Sequence, residues 1–233
     1  MTKKIALVTG VGPDNGSAIA RRFSADGYRV AMLARNKERL ATLEIELPGS
    51  RGYVCDVTDI DAVNHVLARV VSELGHPQVY VHNAVIGALT SYDKLELELF
   101  QQMFDVNVKA LLYFAQKLAP AMIEAGQGAI IVTGNTAALR GGPNHAGFAP
   151  TKAAQRILSE SLSRALGPQG IHVAYLIIDA VVDMPRMRAR FPDKGNEFFI
   201  QPSAIADEVF HLAHQDKSAW SFLTELRPYG EKW

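Results

Sequence analysis

Glycines 10, 12 and 16 are the residues whose type and spacing point most directly to chemistry. They lie in Thr9-Gly10-Val11-Gly12-Pro13-Asp14-Asn15-Gly16. The apolar run Ile5-Ala6-Leu7-Val8 precedes them, and a helix-like segment follows in which Ile19, Ala20 and Phe23 share a face. Strand, glycine turn and helix in that order present free backbone N–H groups and the positive end of a helix to a phosphate. Glycine is needed because a side chain would hold a pyrophosphate away, and because a tight turn can demand positive φ. The same pattern also describes an ordinary strand-to-helix turn. The one cysteine, Cys55, ends an apolar run and reads as a small buried hydrophobe rather than a nucleophile. His65, His76, His172, His211 and His214 are scattered without ligand spacing, so no metal is expected.

The elements that must position these residues alternate regularly. Strands are predicted at Arg29 to Ala34, Gly52 to Cys55, Gln78 to His82, Gly128 to Thr133, Ile171 to Ile177 and Ser221 to Leu226. Helices are predicted at Lys37 to Leu47, Asp59 to Leu74, Leu97 to Ala125, Pro150 to Leu166 and Pro202 to His214. Pro120 is expected to kink or break the longest of them. Short apolar strands alternating with amphipathic helices imply an α/β, Rossmann-like doubly wound parallel sheet of about seven strands, helices on both faces. Its ligand crevice should lie at the carboxyl ends of the strands. The 233 residues suit a single domain, 1–233, with residues 183–201 as a substrate lid. Lys plus Arg balances Asp plus Glu at 24 each, so no field favours nucleic acid or an anionic membrane. No apolar run approaches the ~20 residues of a spanning helix. The chain enters its first strand too soon to leave room for a signal peptide, and a cytoplasmic protein is expected.

With the elements placed, the chain resembles a short-chain dehydrogenase/reductase over nearly its whole length. Thr9-Gly10…Gly16, Asp56-Val57 after the third strand, Asn83-Ala84 after the fourth, Asn107, Lys152, and Val182 after the sixth strand carry the likeness. Leu226-Arg227-Pro228-Tyr229…Lys232-Trp233 and Thr133-Gly134…Leu139-Arg140-Gly141-Gly142 are similar to a divergent bacterial branch. The resemblance implies a nicotinamide cofactor and a small-molecule substrate. Gly10, Asn15 and Gly16 would lie under the pyrophosphate, Asp56 and Val57 at the adenine, and the Asn83-Ala84 backbone at a ribose. Lys152 would hold the nicotinamide ribose hydroxyls, and backbone near Val182 the carboxamide. Ala34-Arg35 stands where an acid would select NAD(H), so NADP(H) is expected over NAD(H). A homodimer or homotetramer is implied, pairing through residues 97–125 and 150–166, with Leu111, Leu112, Phe114, Ala115 and Leu118 as apolar surface.

The catalytic set departs from the family. Phe148 stands four residues before Lys152, where the family has tyrosine, and Asn135 stands thirteen residues before that, where it has serine. Asn107, Asn135, Phe148 and Lys152 are therefore the candidate catalytic positions. A phenyl ring has no proton to give, and losing a general acid costs on the order of 10²–10⁴ in rate. Asn135 can still donate an N–H to a carbonyl oxygen. His145, Asp179 or water is left as proton source, and a tyrosine from elsewhere, such as Tyr92 or Tyr175, beside Lys152 would restore a phenol. Asp14 replaces a glycine of the phosphate turn, where its charge opposes a pyrophosphate unless it turns away or caps the helix. Asp179-Ala180 and Met184 replace Pro-Gly and threonine after the sixth strand. Three readings stay open: an oxidoreductase acting on a small apolar carbonyl or enone through a non-standard proton donor, a non-catalytic nucleotide or small-molecule binder, and a non-redox lyase or isomerase.

Overall fold

The computed structural model describes residues 4–230; Lys232 and Trp233 of the tail lie outside the described residues. Seven strands form one all-parallel sheet, β1 (Ile5–Thr9), β2 (Arg29–Ala34), β3 (Arg51–Val54), β4 (Val79–His82), β5 (Gly128–Asn135), β6 (Ile171–Ile178) and β9 (Leu223–Leu226). Their spatial order is β3-β2-β1-β4-β5-β6-β9. Alternation within each strand feeds two cores, one on each face. Ala6 and Val8 of β1 join Ile19 and Phe23 of α1 (Asn15–Ala25) and Val209 of α8 (Pro202–Ala213). Leu7 points the other way, toward Val63 of α3 (Ile60–Glu73) and Leu111 and Phe114 of α5 (Ala110–Glu124). Each of the larger of these side chains, fully buried, contributes roughly 1.5–3 kcal/mol. Asn36 and Asp59 cap α2 (Lys37–Glu46) and α3 by accepting from Arg39 N and Ala62 N.

The long helix does not yield at Pro120, which α5 carries within its span. The irregularity falls earlier. α4 (Leu97–Phe104) passes into a π-turn over Asp105–Lys109, where Ala110 N donates to Asp105 O, before α5 resumes. Such widened turns re-aim side chains and recur at functional sites; this one contains Asn107. α6 runs Phe148–Leu166, two residues earlier than its pattern suggested, because Pro150 in the first turn lacks only an N–H that would be unpaired there anyway. The interface surface expected on α5 is mostly core: Leu111, Phe114, Ala115 and Leu118 are buried against the sheet, and only Leu112 is exposed, at 38%. The segment expected as a lid carries short regular elements. β7 (Val181–Val182) pairs in parallel with β8 (Phe199–Ile200), and α7 (Pro185–Arg190) lies between them. Asp183 accepts a bidentate pair from Arg188 (2.7 Å each) and a bond from Gln201, which pins both ends of the segment.

The ends of β1 and β4 nearly touch. Gly10 has φ +70°, and a Cβ there would sit 2.6 Å from the Ala84 backbone. Asn83 Nδ2 donates to Gly10 O at 2.8 Å across the same junction. Backbone cannot give way there. Gly10→Ala should therefore lower stability by roughly 1–3 kcal/mol, a drop of at least ~2 °C in melting temperature by calorimetry. An unchanged melting temperature would show that the junction can open.

Candidate active site

In this strand order, connections from β1 and from β4 leave in opposite directions, which opens a crevice at their carboxyl ends. A cleft of about 690 Å³ occupies that place. Gly10, Asn15, Gly16 and Arg35 line it, together with Asp56, Val57, Asn83 and Ala84. Eight positions scattered over 75 residues of sequence thus meet at one surface. Lys152, Val182, Asn107, Asn135 and Phe148 are not part of its wall; the π-turn supplies Asp105 and Val106, and Met184 stands in for its neighbour Val182.

The floor is a cradle of backbone. A Cβ on Gly16 would fall 2.4 Å from Gly10 O, so only glycine lets the helix start this close to the turn. Ser17 ties the turn to α1 by donating from both N and Oγ to Gly12 O. Asp14 occupies the N-cap of α1, yet its side chain makes no capping bond. The first-turn N–H groups are therefore not taken by its carboxylate, which remains on the cleft wall. Asn15 Oδ1, also at the cradle, is buried without a hydrogen-bond partner.

At the outer end, the carboxyl end of β2 delivers Arg35, Asn36 and Arg39 to the cleft. Asp56 accepts from Thr58 N and Oγ1 at 3.0 and 2.8 Å. These bonds hold its carboxyl below the usual range, burial opposes them, and Arg35 adds a smaller push in the same direction. Cys55 is buried, and desolvation pushes its thiol up to about 11, which fits a packing role.

Behind the inner end lies a polar network sealed from water. Lys152 is 2% exposed. Its Nζ donates to Thr133 O at 3.1 Å and to Gln155 Oε1. Gln155 Nε2 donates to Asn107 O at 2.6 Å. The Asn107 side chain grips the strand-end loop, accepting from Ile86 N and donating to Ile86 O, and it also donates to Thr151 Oγ1, all at 3.0 Å. Burial pushes the Lys152 ammonium down to about 7. His82, fully buried, is pushed down to about 3, first by desolvation and then by the Lys152 charge. Its Nδ1 meets Tyr80 Oη at 2.8 Å. Gln155 had no place in the sequence reading; a polar residue one helical turn after Lys152, on the same helix face, was the signal available for it.

The remaining candidates separate. Asn135 spends Oδ1 on Ala137 N at 3.1 Å, at the end of β5. Phe148 leans on Gly87, whose Cβ would meet its ring at 3.2 Å. Tyr92 is 86% exposed. Tyr175 does approach the network, with Oη 3.3 Å from Gln155 Oε1, but it is fully buried on the core side and cannot reach a substrate. Asp179 is not an isolated acid: it pairs with Arg227, which also holds Glu225. His145 sits over Gly142, away from the cleft wall, with Nδ1 buried and unpartnered. No group of His, Cys, Asp and Glu among the described residues is arranged to hold a metal.

Comparison with known proteins adds four findings. A family model described as short chain dehydrogenase matches residues 4–194. The D-erythrulose reductase of Gallus gallus is 34% identical, over 92% of this chain and 89% of that protein. A short-chain dehydrogenase from Rhodopseudomonas palustris superimposes with TM-score 0.81 at 33% identity, covering 97% of this chain and 99% of that one. A metagenomic short-chain oxidoreductase solved in complex with NADP gives TM-score 0.82 at 27% identity, covering 96% and 95%.

The Lys152 environment has a consequence for stability. Its folded-state value near 7 lies below the ordinary 10.5. Between those values the unfolded chain binds a proton that the folded chain does not, so stability rises with pH across the window. From about pH 7 toward pH 10, the urea midpoint of the wild type should climb relative to that of Lys152→Met. Parallel pH profiles for the two proteins would mean that the amine is not desolvated as described.

Proposed function

The chain belongs to the short-chain dehydrogenase family, and on that premise we propose that it is an NADP(H)-dependent reductase of a small apolar carbonyl or enone whose proton does not come from a side-chain phenol. One observation carries the reading: a single cleft runs from Arg35, through the Gly10–Gly16 cradle, to the wall that Asn107 braces. The residues fit a dinucleotide. The cradle has room only where side chains are missing, and Arg35 and Arg39 offer guanidinium groups where a 2′-phosphate would lie. Bound in that cleft, the cofactor would supply a hydride.

The chain's own residues then hold and exclude. Gly10, Asn15 and Gly16 carry the pyrophosphate, Asp56 and Val57 the adenine, and the Asn83-Ala84 backbone a ribose. Lys152 serves the second ribose, and backbone near Val182 the carboxamide. Val85, Leu89 and Leu139, exposed on loops at the strand ends, favour an apolar substrate. The D-erythrulose reductase relative supports a small carbonyl compound. The proton comes from water or by way of the lysine network, whose buried ammonium titrates near neutrality, where an acid is most effective. An enone asks less of that donor than a ketone, because its enolate spreads the charge that an alkoxide concentrates. The active form is a homodimer or homotetramer, for which exposed Leu112 and Ile157 offer apolar contacts on α5 and α6.

The test is NADPH absorbance across ketones, aldehydes and enones; silence with every class would end the redox reading. Phe148→Tyr should raise ketone reduction, by up to ~10²–10⁴ if the phenol reaches the same place as in the family. Arg35→Asp should weaken NADPH about tenfold or more in a calorimetric titration while sparing NADH. Equal losses for both cofactors would remove the 2′-phosphate assignment. The second reading, a non-catalytic binder, is favoured by the withdrawal of Lys152 behind the cleft wall. It requires a metabolite that shifts the melting point while NADP(H) and NAD(H) give no heat.

A further inference from the structure

Lys152 and Gln155 are one helical turn apart on the same face of α6, and both are buried. Gln155 uses both ends of its amide within the core. Oε1 accepts from Lys152 Nζ, and Nε2 donates to Asn107 O. Asn107 in turn holds Ile86, next to the cleft-lining Asn83–Val85 stretch, by two bonds of 3.0 Å. One amide therefore joins the amine to the cleft wall. We infer that Gln155 is the positioning residue of this site, holding Lys152 Nζ beside Thr133 O with its own amide anchored on Asn107 O, so that amine and cofactor-facing loop move as one rigid unit. The inference rests on reading the cleft as the nicotinamide site.

The clamp has a chemical consequence. An ammonium has three N–H groups, and Thr133 O and Gln155 Oε1 occupy two of them. A single valence stays outside the clamp: an N–H when the lysine is charged, a lone pair when it is neutral. The amine can therefore change its charge while both clamp bonds persist. The titratable groups closest to the amine are neutral, His82 on β4 and Tyr175 on β6, and none of the ion pairs among the described residues includes Lys152. The Gln155 amide is thus the one side-chain hydrogen-bond acceptor of the amine among the described residues, beside the main-chain oxygen of Thr133.

The experiment follows the ¹³Cε signal of Lys152 through a pH titration of cofactor-free protein, comparing wild type, Gln155→Met and Gln155→Glu. Losing the acceptor in Gln155→Met should lower the midpoint, and the carboxylate of Gln155→Glu should raise it, each by about one pH unit or more. A merely structural glutamine would lower the melting temperature and leave the midpoint where it was. Midpoints equal to that of the wild type in the variants that fold overturn the proposal. The wild type alone also decides: the Gln155 side-chain amide hydrogens should exchange slowly with solvent, and exchange at the rate of exposed amides overturns it too. Neither measurement uses cofactor or turnover, so failure of NADPH to bind would remove the reductase reading and leave this result standing.

Discussion

Everything at the carboxyl edge of the sheet depends on how closely two backbones meet. The chain leaving β1 passes so near the chain leaving β4 that the Cβ of any other residue at position 10 would overlap Ala84. Asn83 spans the junction, donating to Gly10 O and accepting from Thr133 Oγ1, which ties the ends of β1, β4 and β5 together. With that floor closed, the divergent crossovers on either side have nowhere to converge, and the crevice is their geometric remainder. The second close approach, of Gly16 to Gly10 O, brings the start of α1 to the same spot.

Charge is handled differently at the two ends of the cleft. The outer end is wet and mixed, with Arg35 and Arg39 beside Asp56. The inner end is dry: a lysine and a histidine are buried together, and each is driven toward its neutral form. Isolated charges in such surroundings are expensive, and nature's usual remedies are pairing or deprotonation. Here the remedy is an amide. With no phenol at position 148, the lysine is held by Gln155 and by a main-chain carbonyl, which satisfies its donors without fixing its charge.

The order of strands and helices was legible because it rests on local periodicity, and the sheet follows from the rules that join βαβ units. The residues of the cleft wall were legible for a related reason. Those at strand ends share a cleft whenever the strands are parallel, as Gly10, Arg35, Asp56 and Asn83 do. Misplacements arose where a residue's neighbours lie far away in sequence. Leu111, Phe114 and Leu118 make an apolar stripe that suits an interface or a core equally well, and only the sheet beneath them assigns it to the core. Asp179 looks like a free acid until Arg227 arrives from the last strand's end. The break in the long helix was expected at its proline, yet the widened turn lies around Asn107, whose side chain bonds Ile86 and Thr151 and whose main-chain oxygen accepts from Gln155.

By itself the sequence determined the doubly wound sheet, the glycine cradle and the absence of a phenol before Lys152, since strand and helix periods, glycine and side-chain type are properties of short stretches. Only the tertiary structure decided where the lysine points and what holds it. Gln155 and Asn107 are separated by 48 positions, and a hydrogen bond of 2.6 Å between them depends on the packing of α6 against the π-turn, which no local pattern encodes.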